Sequence, residues 1–196
     1  MFWAAYATIL RGRGLVELEP GKEAVAQIHQ GLAGYRATGA ELECPYFVAL
    51  LAEALGKIGH IEEGLTVLAE MLGEVDSTGL RFHDAELRRL TGECLLWRAI
   101  RDETRAETCF RQALDVAHLQ QAKSLELRAA MSLSRLWQRQ DKRAEARQLL
   151  GDIYGCSQRV LTPEICKRPG PCSRRCPDLH TPYLEGQDPA PVREFA

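Results

Sequence analysis

An internal repeat constrains this chain more than any other feature. Four segments line up: GKEAVAQIHQGL (21–32), IEEGLTVLAEML (61–72), RAETCFRQAL (105–114) and RAEARQLLGDIY (143–154). Each carries a small residue, Ala24, Gly64, Ala106 or Ala146, and four positions on a large apolar one, Ile28, Leu68, Phe110 or Leu150. Three positions further stand Gly31, Met71, Ala113 and Ile153. The small residues are 40, 42 and 40 positions apart. These offsets place all three residues of a set on one face of a helix.

A second helix precedes each segment, at about 2–12, 45–58, 82–99 and 123–139. In PYFVALLAEALGKIG, Pro45 suits the first helical turn, Phe47, Leu50, Leu51 and Leu55 form an apolar stripe, and Gly59 marks the stop. Leu125, Ala129, Leu133 and Trp137 repeat at intervals of four, and Asp141 and Lys142 take the next turn. A single helical hairpin cannot cover its own apolar face, so hairpins stack. The expected fold is all-α: a solenoid of about four antiparallel hairpins with a period of about 40, over residues 1–155.

Composition agrees with a soluble globular chain, at 45% hydrophobic and 27% charged over 196 residues. The formal net charge of −2 gives no electrostatic reason to expect nucleic acid or an anionic membrane as partner. The opening MFWAAYATIL is too short to span a bilayer and lacks a signal peptide's basic start, so a cytoplasmic location is expected.

The stretch LLAEALGKIGHIEEGLTVLAEML resembles the tetratricopeptide repeat, with Leu51, Leu55, Gly59, Gly64, Leu68 and Met71 at its signature positions. That repeat has a period of about 34. Longer helices and the connectors TGAELEC (38–44) and DSTGLRF (76–82) absorb the difference. The phrases GLAGYRATGAELECPYFVALLAEALGKIG and AETCFRQALDVAHLQQAKSLELRAAMSLSRLWQRQDKRAEARQLLGDIYG resemble something narrower. They are similar to the C-terminal repeat tail of large bacterial signalling ATPases, which join a nucleotide cyclase or helix-turn-helix output domain to a P-loop ATPase. The resemblance covers about residues 2–155 and implies a non-catalytic interaction module, with a protein or peptide as partner.

It also implies that the first helix of each hairpin lines a concave groove. Projecting that face selects Tyr46, Glu53, Lys57, Arg88, Arg128, Arg135, Gln138 and Arg139. The last four form a basic stripe suited to an acidic peptide or a neighbouring acidic domain.

Composition breaks near Gly155. Cys156, Cys166, Cys172 and Cys176 and seven of the nine prolines fall in the remainder. Cys166, Cys172, Cys176 and His180 are zinc-type ligands, but no pair has Cys-x2-Cys spacing, so a zinc-binding protein is the remote alternative. A shifted reading frame explains the tail better. One base restored within the Cys156 codon permits a message reading Gly-Trp-Phe-Thr-Glu-Gly-Phe-Asp-Thr and then an amphipathic DLQEARALLEEV. A stop codon becomes available across Pro177 and Asp178. It resembles the family's usual last-repeat ending. Residues 156–196 are therefore expected to be a frameshift product and disordered. The Leu149, Leu150 and Ile153 face would then be partly uncovered and open to self-association.

Catalysis has no candidate residues. There is no Gly-rich phosphate loop, Ser-His-Asp set or cyclase carboxylate pair. No cofactor or metal is expected. His29, His60, His83 and His118 read as surface or half-buried side chains, Trp3, Trp97 and Trp137 as core, and Cys44, Cys94 and Cys109 as reduced buried thiols.

Overall fold

The computed structural model describes residues 1–161, with side chains to Ile153. Among the described residues the chain forms eight helices: α1 (Phe2–Leu18), α2 (Lys22–Arg36), α3 (Cys44–Lys57), α4 (Ile61–Thr78), α5 (Asp84–Trp97), α6 (Glu103–Leu119), α7 (Lys123–Arg139) and α8 (Arg143–Leu161). They stack as consecutive pairs in a solenoid-like arrangement. The four expected first helices correspond to α1, α3, α5 and α7. Two boundaries differ from the sequence reading. α1 runs to Leu18, through the glycines of RGRG, and stops just before Pro20. α8 continues to Leu161, past the compositional break at Gly155. The zinc-type ligands Cys166, Cys172, Cys176 and His180, and all but the first residues of the expected tail, lie outside the described residues.

The turns follow from backbone chemistry. Gly59 takes φ +84° after α3, and Gln121 and Asp141 take φ +55° and +61° after α6 and α7. In each case the next N–H reaches back five residues: His60 to Leu55 O, Ala122 to Ala117 O, and Lys142 to Trp137 O, each at 2.9 Å. This is the left-handed stop that closes the last carbonyls of a helix. Asp102 caps α6 by accepting from the Arg105 N–H at 3.1 Å.

Small residues set how closely the helices approach. A Cβ on Gly12 of α1 would lie 2.7 Å from Ile28 Cγ1 and 3.0 Å from Ala24 O. One on Gly31 of α2 would lie 2.5 Å from Ile9 Cγ1 and 3.0 Å from Ala5 O. The pair is thus locked by reciprocal insertion of Ile28 and Ile9. Further along, the Phe110 ring covers Gly92, where a Cβ would come within 2.5 Å of it. Gly12, Ala52, Gly92 and Ser132 recur every 40 residues on the odd-numbered helices. Ala52 and Ser132 are also buried, and Ala52 O lies 3.4 Å from where a Gly64 Cβ would stand.

The apolar face read from the repeat is the core. Ile28, Leu68 and Phe110 are fully buried, as are Ala24, Ala106, Ala113, Met71 and Ala146; Leu150 is half-buried. One cluster runs from Ala5 to Cys94, a second from Leu95 to Ala146, and Leu65 packs against both. Trp137 is buried as expected, but Trp97 is 38% and Trp3 77% exposed. Cys44 and Cys94 are buried free thiols, and Cys109 is half-buried. Burial pushes the Cys94 thiol up to about 12.

Candidate functional site

The odd-numbered helices lie side by side: α1 touches α3, α3 touches α5 and α5 touches α7. The even-numbered ones stand further apart. Long side chains bridge them, as with Arg36 and Glu74 at 3.5 Å. The odd-numbered helices thus make the more closely packed layer, and the side of the stack they line is termed the inner face.

A charge ladder in two parts crosses that face, one joining α1 to α3 and one joining α5 to α7. On α1, Arg13 meets Glu17 at 2.6 Å and reaches Glu53 of α3 at 3.3 Å. Lys57 of α3 returns to Glu17 at 2.7 Å. On α5, Arg89 makes a two-point contact with Glu86, at 2.8 and 3.0 Å, and reaches Glu93 at 3.3 Å. Ser132 of α7 donates to Glu93 at 2.6 Å and accepts from Arg89 at 3.3 Å. Arg128 of α7 meets Glu86 at 2.9 Å. Burial presses the Arg89 guanidinium toward losing its proton, but hydrogen bonding and charge from Glu86, with Glu93 and Glu53, hold its pKa above the ordinary value. Arg89, Glu86 and Ser132 are all buried, so this α5–α7 group satisfies its own members and fixes the register of α5 against α7.

Beside the ladder lies a groove of about 360 Å³, lined by Glu53, Arg89, Glu93, Trp97, Met131 and Arg135. The six-membered ring of Trp97 packs against Gly56 of α3, and Trp97 remains 38% exposed; Met131 is 39% exposed. Arg135 is shared with a second hollow of about 560 Å³, whose other walls are Gln138, Arg139, Arg143 and Arg147. A third and larger hollow, about 1170 Å³, lies between the α3–α4 turn and the α5–α6 connection. Arg98 crosses it to grip Glu62 at 2.7 and 2.9 Å.

The residues selected from sequence fall into three groups. Glu53, Lys57 and Arg128 are members of the ladder. Arg135, Gln138 and Arg139 stand together at the α7–α8 end. Tyr46 and Arg88 do neither. Tyr46 is half-buried against His83, with ring centroids 5.4 Å apart. Arg88 is turned toward α6, bonding Asp84 at 2.6 Å and Gln112 at 3.2 Å. Its neighbour Arg89 holds the inner-face position, because one residue along a helix rotates a side chain by about 100°. Arg89, Glu86, Glu93, Arg143 and Arg147 were missed. Their charges gave no sign of which face each would occupy.

Among the described residues no group of three or more His, Cys, Asp or Glu side chains is placed to hold a metal ion. No helix there is long and apolar enough to cross a membrane. His29, His60 and His118 are exposed and His83 half-buried.

These features define an all-α protein of stacked helix pairs in a solenoid-like arrangement. No family model matches the chain, and no solved structure matches it. It is similar to an uncharacterized protein of Rhizobium meliloti (strain 1021), 32% identical over 111 residues. That match takes in 57% of this chain but spans only 11% of the relative's length.

Proposed function

We propose that residues 1–155 form a non-catalytic protein-interaction module of the tetratricopeptide type, working as one part of a longer bacterial signalling protein in the cytoplasm. The observation that carries this reading is the inner-face groove. Trp97, Met131 and Arg135 remain exposed in it beside a ladder that holds its walls in place. A fixed face with exposed aromatic, thioether and guanidinium groups is suited to receiving a segment of another protein. The small-large-small pattern at 40 to 42 residues supports the repeat type. The match to a small part of a much longer rhizobial protein supports membership of a larger chain. The resemblance to the repeat tails of signalling ATPases favours an ATPase parent, with a nucleotide cyclase or a transcription activator as the alternative output.

Two measurements test the reading. Bacterial proteins captured on the immobilised chain are compared with those captured by a variant of the groove, Met131→Glu with Arg135→Glu, and by a variant of the outer layer, Glu70→Arg with Asp115→Arg. The module reading requires loss with the first and retention with the second; equal capture by all three refutes it. ATP hydrolysis or cyclase activity above background by the purified chain would overturn the non-catalytic part.

A further inference from the structure

Through Ile153 the chain contains fifteen arginines. Nine have a carboxylate within 4.0 Å: Arg13, Arg36, Arg81, Arg88, Arg89, Arg98, Arg105, Arg111 and Arg128. Of the six without an ion pair among the described residues, four line one hollow: Arg135, Arg139, Arg143 and Arg147. All four are exposed. They follow one another at intervals of four, two on the last turns of α7 and two on the first turns of α8, so each pair shares a helix face. Such a grouping is self-repulsive. Nine of the other eleven arginines are paired, so this hollow stands out as the place where an external anion would be neutralised.

The adjoining groove narrows what that anion is attached to. Met131 stands one turn before Arg135 on α7, and with Trp97 it forms an exposed apolar step that leads into the arginine hollow. Glu53 and Glu93 line the same groove. A nucleic-acid backbone leaving the hollow along the groove would bring phosphates against these carboxylates. A peptide can present an apolar side chain there and carboxylates only beyond it.

We propose that this end of the inner face binds an acidic peptide segment with an apolar anchor. The anchor sits on Trp97 and Met131, and adjacent Asp or Glu carboxylates are held by Arg135, Arg139, Arg143 and Arg147. Guanidinium groups suit this task because each meets a carboxylate through two parallel N–H donors. The proposal rests on the interaction-module reading and adds the ligand's chemistry and order of residues.

Fluorescence anisotropy of the full chain with defined probes tests it. The probes are a labelled peptide with a leucine beside a run of glutamates, the same peptide with glutamines, the glutamate run without leucine, and a single-stranded oligonucleotide. The glutamate–leucine peptide is expected to bind best. Its affinity should fall about tenfold or more in Arg139→Glu with Arg143→Glu, and as salt rises. It should recover partly in the matching lysine variant and fall several-fold in Met131→Ala. Circular dichroism verifies that these variants fold. Undiminished binding by the charge-reversed variant, equal binding of the glutamine peptide, or tighter binding of the oligonucleotide overturns the proposal. If the glutamate peptides fail to bind while the groove variant still loses captured proteins, the ligand assignment falls and the module reading stands.

Discussion

Two residues hold a backbone conformation that their side chains disfavour. Gln121 and Asp141 end α6 and α7 with φ +55° and +61°, where Gly59 does the same work after α3. A Cβ in the left-handed region costs about 1–2 kcal/mol in an ordinary residue. Gln121→Gly removes that cost and gives up the exposed side-chain bond to His118 O at 2.9 Å. It should therefore stabilise the chain by about 1 kcal/mol, read as a higher denaturant midpoint with an unchanged slope. An unchanged or lower midpoint would contradict this account of the turn. Gly59 was legible as a stop from its residue type, and the turn at Asp141 from its polarity. Gln121 was not, because glutamine carries no turn signature. The Ala122–Ala117 bond and the packing of α7 on α6 impose its conformation.

At the scale of the helix, the close approach of α1 and α2 is the feature most open to test. The Cβ of Gly31→Ala would stand 2.9 Å from Ile9 N and 3.0 Å from Ala5 O, backbone atoms that cannot swing aside. The substitution should cost about 1–3 kcal/mol by forcing the helices apart. Gly73 is the control. It lies inside α4 with nothing within 4 Å of its Cβ position, so Gly73→Ala should gain up to about 1 kcal/mol from helix propensity alone. Thermal unfolding of the pair should move in opposite directions. Equal shifts would mean that the contact is not tight. The even-helix pattern was plain in sequence because each small residue is followed by a large apolar one. The matching row of Gly12, Ala52, Gly92 and Ser132 was not recognised. Its regular spacing of 40 was available, but a small residue reveals its role only when the partner that fills its space is known.

For the whole molecule, charge pairing makes stability depend on pH. A hydrogen bond from Lys57, with the charge of Arg13, holds the Glu17 carboxyl below its ordinary value of 4.5. Burial pushes Glu126 up, but Lys123 and His118 outweigh it and hold it low. Burial likewise opposes Glu107, and the bond and charge of Arg111, with the charge of Lys142, outweigh it. These carboxylates stay charged in the folded chain at pH values where the unfolded chain is already taking up protons. The unfolded state then binds more protons, so stability rises with pH through that window. The contribution is complete above the ordinary value and is lost as pH falls through the depressed ones. The urea midpoint should therefore drop between about pH 6 and about pH 3. The drop should be smaller in Glu126→Gln, which has no carboxyl to titrate at that site. An equal drop in both would remove Glu126 from the explanation.

The sequence by itself determined the all-α class, the pairing of consecutive helices and most of the buried face. Those follow from local periodicity: Ala24, Ile28 and Gly31, or Gly64, Leu68 and Met71, can share one face only in a helix. Which charged residues share a surface was decided by tertiary structure. Glu53, Arg89 and Ser132 come from three helices, and Arg135 joins Arg143 and Arg147 only because α8 turns back along α7. The same packing left Trp97 and Met131 open on the inner face, although tryptophan at a helical apolar position reads as core. The reason is physical: burial of apolar groups acts through each helix's own repeat, whereas a charge is paired or left free by whatever neighbouring helices bring within a few ångströms.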